Sequence, residues 1–134
     1  RWVIENRNIQ NVTYCDYSIE EILEKYPQKF DLAISIDVIE HIKDYKSFLD
    51  KFVQLSDYAI IATPNRDRYY KKEEIVAPPY KYHTQEFDAG ELYFILKMYY
   101  KDVKLYSLPN PLKTEIVEVG ICSSYEKLIA VCKN

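Results

Sequence analysis

Two short and almost wholly apolar runs, residues 30–36 and 58–62, flank a segment of helical spacing, and this arrangement constrains the fold more than any other feature of the chain. A run without polar alternation reads as a strand covered on both faces, as in the centre of an α/β sheet. Between the runs, Tyr45, Phe48, Leu49, Phe52 and Val53 recur at helical spacing, with Lys46, Asp50 and Lys51 on the other side. The first run ends at Asp37 and leads into Glu40-His41; the second stops at Thr63-Pro64-Asn65. Ligands of open α/β sheets bind beyond the carboxyl ends of the strands. These residues are therefore expected to line one crevice.

The rest of the chain keeps the alternation of strand and helix. Residues 12–16 read as a short strand, and Ser18 with Glu21 forms a capping-box pattern that opens a helix bearing Ile22, Leu23 and Tyr26, stopped by Pro27. Residues 66–81 are polar, charged and weakly periodic, too long for a simple connection. Asp88 with Glu91 repeats the capping pattern, ahead of a helix with Leu92, Ile95, Leu96 and Tyr99 on one face. Residues 103–107 and 128–132 read as strands, with a loop or an extra strand at 115–121 between them. The sheet is expected to finish with an antiparallel pair.

At 134 residues the chain is one domain. Its net charge of −3 provides no basic field for non-specific nucleic-acid binding. No apolar run approaches the roughly 20 residues of a membrane span. Three cysteines without CxxC spacing read as buried free thiols of a cytoplasmic protein. Only two glycines, Gly90 and Gly120, are present, so no phosphate-cradling glycine loop exists in this chain.

The wording of residues 30–65, with Phe-Asp, an apolar run, Asp-Val-Ile-Glu-His and then Thr-Pro-Asn, resembles the class I S-adenosylmethionine-dependent methyltransferases. The stretch Tyr82-His83-Thr84-Gln85-Glu86-Phe87, followed by Glu91-Leu92, resembles a further motif of the same families. The resemblance extends from about Val12 to Lys133. It implies a Rossmann-like α/β fold with a mostly parallel sheet and helices on both faces, lacking the N-terminal strands and the Gly-rich loop. Residues 1–134 would then be a single, partial methyltransferase domain. The strand at residues 12–16 would be the third of the fold, adjacent and parallel to 30–36. A sheet edge left open would favour pairing of two copies of the chain.

The same resemblance implies site residues. Asp16 and Tyr17 would meet the adenine of S-adenosylmethionine, and Ile36 and Asp37 its methionine and sulfonium. Glu40, His41 and His83 would form the catalytic group. Asp37, Glu40 and His41 are spaced three and four apart, so on a helix they share a face and could hold a divalent ion such as Mg, Mn or Zn. Ubiquinone-pathway O-methyltransferases and small-RNA 2′-O-methyltransferases have a similar arrangement. The implied activity is O-methylation of a small molecule or glycan, with RNA ribose also compatible, and this chain alone is expected to be inactive. The alternative reading is a non-catalytic, methyltransferase-like module for protein or nucleic-acid interaction.

Overall fold

The computed structural model describes residues 10–69, 81–109, 115–123 and 125–134. Their core is a mixed five-stranded sheet in the order β1-β2-β5-β3-β4. The strands are β1 (Ala33–Ile36), β2 (Tyr58–Pro64), β3 (Asp102–Ser107), β4 (Val117–Val119) and β5 (Lys127–Lys133). The first two pair in parallel, from Ala33 opposite Ala59 to Ile36 opposite Ala62. A bridge between Phe30 and Ser56 extends that pairing at its start. β5 lies antiparallel between β2 and β3, and β4 forms an antiparallel edge on β3. Three strands thus run one way and two the other. The expected closing antiparallel pair is present, and its insertion beside β2 makes the sheet mixed.

Local chemistry explains the helices. Ser18 and Glu21 form the expected capping box at the start of α1 (Ile19–Lys25). Asp44 accepts from the Ser47 amide and caps α2 (Tyr45–Leu55), whose Leu49 and Phe52 are buried. Asp88 and Glu91 form a second capping box at α4 (Ala89–Lys97), which buries Leu92 and Leu96. A single turn, α3 (Arg66–Tyr69), directly follows the TPN corner. The residues from 70 to 80, most of the long polar segment, lie outside the described part.

Among the described residues, α2 and α4 cover the same face of the sheet. Their buried side chains join Ala33, Ala59, Ile61, Leu105, Leu128 and Ala130 in one apolar cluster. On the opposite face no described element covers β1: Ile34 is 56% exposed and Ile36 59%, with Tyr58 and Val131 also exposed. The described helices α2 and α4 lie on one face of the sheet, and residues 1–9 and 70–80 lie outside the described part. The apolar composition of β1, which suggests burial on both sides, has a described covering layer on the Ala33 and Ser35 side alone.

The strand expected at residues 12–16 does not form. Val12 is exposed, and no described strand pairs with the free edge of β1. A β-prone tetrapeptide without a ladder partner leaves its amides to water rather than forming a strand. Asn11, at φ 64, sits in a turn just before it; asparagine tolerates that left-handed backbone.

Candidate active site

β1 ends at Asp37, whose φ of 52 reverses the chain sharply. Its amide donates to the Ala62 carbonyl at 2.9 Å, so the turn is tied to β2. The backbone then forms one 3₁₀ turn, Ile39–His41, rather than the α-helix that the spacing of Asp37, Glu40 and His41 invited. Ile39 is fully buried and anchors this turn in the core. Glu40, next to the anchoring Ile39, is buried, and His41 is exposed.

Glu40 is 1% exposed, and one of its carboxylate oxygens accepts from the Thr63 hydroxyl at 3.1 Å. The other is buried with no hydrogen-bond partner. Such an oxygen is costly unless something else compensates its charge. His41 and His83 meet edge to face, with ring centroids 4.8 Å apart. Ligand-capable atoms of Glu40, His41 and His83 all lie within 4.8 Å of one another. Two ligands of one ion, each about 2.1 Å from it, stand at most about 4.2 Å apart. A modest rotamer closure would thus bring the three side chains to one ion.

Backbone bonds bring His83 to this place. The Thr84 amide and hydroxyl both donate to the Glu40 carbonyl, at 2.8 and 3.1 Å. Gln85 donates from its side-chain amide to the Ile39 and Ile42 carbonyls. Phe87 bridges Asn65, and the Arg66 amide donates to the Phe87 carbonyl. The segment carrying His83 is therefore clamped to the 3₁₀ turn on one side and to the end of β2 on the other. Tyr45 packs edge-on against Phe87 beneath it.

The histidine protons can be assigned from their partners. His41 Nδ1 lies 3.0 Å from the Tyr82 carbonyl, which can only accept, so Nδ1 holds the proton. In the neutral ring, Nε2 then keeps its lone pair. His83 Nδ1 lies 2.6 Å from Glu86 Oε1.

The other expected site residues do not join this group. Asp37 makes an ion pair with Lys127 at the start of β5, and the group that converges with Glu40 and His41 contains His83 rather than Asp37. The reason is the left-handed turn at Asp37, which leaves it out of the helical register with Glu40. Ile36 is exposed beside it. Asp16 and Tyr17 lie in an exposed coil before α1, where the Tyr17 hydroxyl accepts from Lys25 at 2.7 Å. Of the basic and aromatic run that follows Pro64, Arg66 is engaged by Asp88 and Glu91 at 2.7 and 2.8 Å. The sequence places Thr63 in the crevice and Gln85 and Glu86 in the recognised motif but assigns none of the three a role, and Lys127 has no signal at all. A cleft lined by Tyr58, Tyr93, Lys97 and Lys133 lies at the amino-terminal end of β2, away from this cluster.

No protein-family model matches the chain. Over 60 residues, 42% of this chain and 25% of the relative, it is 32% identical to the ubiquinone biosynthesis O-methyltransferase of Photorhabdus laumondii subsp. laumondii. The chain thus spans about a quarter of the length of that curated relative. A crystal structure of the methyltransferase domain of bacterial CtHen1-CN aligns with a TM-score of 0.49 at 18% identity, covering 78% of this chain and 53% of that one.

Proposed function

We propose, from the resemblance of this chain to class I S-adenosylmethionine-dependent methyltransferases, that it forms the acceptor-activating side of an O-methyltransferase. The observation that carries the proposal is the convergence of Glu40, His41 and His83, with a buried and unpartnered oxygen on Glu40. Methyl transfer to a hydroxyl needs an aligned acceptor and a route for its proton. His41, held through Nδ1 by the Tyr82 carbonyl, offers Nε2 as the proton acceptor in the metal-free site; with an ion bound, the same lone pair would instead hold the ion. Glu40, held by Thr63, supplies the negative charge that stabilises the resulting imidazolium or a bound cation.

The donor set fits a divalent ion. One carboxylate and two imidazoles suit Zn, Mn or a similar metal, and a bound ion would make an acceptor hydroxyl more acidic. The fit to S-adenosylmethionine is incomplete. Ile36 and Asp37 stand at the carboxyl end of β1, but Lys127 already neutralises Asp37. Gly90 lies within α4 and Gly120 in a loop, so neither forms a cradle. The acceptor we infer is a hydroxyl of a small molecule or glycan, since the net charge of −3 gives no general attraction for RNA. The second reading, a non-catalytic interaction module, draws support from the exposed apolar side chains of β1.

The test is His41→Ala in the complete protein, assayed for methyl transfer. Turnover should fall about 10²–10⁴-fold, as for loss of a general base, with cofactor affinity nearly unchanged. Equal turnover in the variant would overturn the proposal.

A further inference from the structure

Glu86 has no part in the activation step as described, yet it is 8% exposed, next to the site, and its carboxylate is poorly satisfied. Oε1 contacts His83 Nδ1 at 2.6 Å, while Oε2 is buried with no hydrogen-bond partner. A buried carboxylate with one strong contact costs more than an apolar side chain of the same size. Nothing in the packing of the core requires it. Arg66 bonds the Glu86 carbonyl at 3.4 Å but spends its charge on Asp88 and Glu91. What Glu86 does have is a fixed position. Its neighbours Gln85 and Phe87 are bonded to the 3₁₀ turn and to the end of β2, so its carboxylate cannot drift from His83.

We propose that Glu86 is the positioning residue of the site, taking the Nδ1 proton of His83 in a hydrogen bond and so presenting Nε2 of that ring, unprotonated, to Glu40 and His41. The two histidines then share one design. Each is gripped at Nδ1 by an oxygen of the 82–86 segment, a carbonyl for His41 and a carboxylate for His83. A carboxylate behind an imidazole also fixes its plane, and such partners commonly change metal affinity 10- to 100-fold. The inference deepens the proposed function but has a readout of its own, because the ring tautomer is set with or without a metal or an acceptor.

The experiment is nitrogen-15 NMR of the histidine rings in the full chain, comparing wild type with Glu86→Leu and Glu86→Gln. In the wild type, His83 should carry its proton on Nδ1. Glu86→Leu, which fills the same space without an acceptor, should shift His83 toward the Nε2-protonated form. Glu86→Gln, whose amide oxygen can still accept, should restore the wild-type tautomer. Titration with Zn(II) or Mn(II) forms the second arm, with affinity about 10- to 100-fold lower in Glu86→Leu. A wild-type His83 protonated on Nε2, or a Leu variant with an unchanged tautomer, would overturn the inference even if metal binds. If the tautomer pattern holds and no ion binds even to the wild type, Glu86 keeps its positioning role and the metal part of the proposed function fails. Should Glu86→Leu not fold, the wild-type tautomer and the Gln variant still decide the question.

Discussion

Glu40 keeps one oxygen on Thr63 and leaves the other buried without a partner, while His41, next in sequence, is half turned to solvent. The 3₁₀ turn that carries both residues packs Ile39 and Glu40 into the protein. The sequence spacing anticipated one face for Asp37, Glu40 and His41, and the left-handed backbone at Asp37 defeats it. What the sequence did convey was the chemistry: the chain has only two histidines, and their rings meet. The roles of Thr63, Gln85 and Glu86 in holding the site are legible only once the chain has folded, because their partners are distant in sequence or set by the fold. The cysteines teach the same point. All were expected to be buried, yet Cys15 and Cys122 are exposed and only Cys132 is buried, its thiol pushed up to about 12 by burial. Reactivity follows thiolate character and access. The native chain should therefore show two fast-reacting thiols toward an aromatic disulfide reagent, and a third only on unfolding. Three fast thiols would contradict the packing of β5.

At the scale of elements, the capping boxes were readable because they are local: Ser18 with Glu21 and Asp88 with Glu91 need no tertiary information. The strand at 12–16 was misread because a strand needs a neighbour, and local pattern cannot supply one. The two caps differ in what depends on them. α1 buries none of its residues, whereas α4 buries Leu92 and Leu96, and Asp88 also bonds Arg66 beside the TPN corner. Replacing an N-cap by alanine costs about 0.5–2 kcal/mol. Asp88→Ala should fall at the upper end of that range and Ser18→Ala at the lower, measured from urea unfolding midpoints. The reverse order would show that Arg66 and α4 do not tie the 82–88 segment to the core.

For the molecule as far as it is described, the helices α2 and α4 cover one face of the sheet, and the carboxyl ends of β1 and β2 hold a side-chain cluster without a glycine cradle. The fold class could be read from the alternation of apolar runs, but the position of β5 between β2 and β3 could not, since strand order depends on contacts across 60 or more residues of chain such as Ala62 with Ile129. With Asp37 neutralised by Lys127, S-adenosylmethionine should bind this chain weakly or not at all by calorimetry. Micromolar or tighter binding would mean that the described residues suffice for the cofactor. The most direct test of the central claim is calorimetric titration of the full chain with Zn(II) and Mn(II), repeated on Glu40→Gln. The account predicts one ion per chain, lost in the variant, and a metal-free variant at least as stable as the wild type because a buried, half-satisfied charge has been removed. No binding of either ion to the wild type, or equal binding by Glu40→Gln, would contradict it.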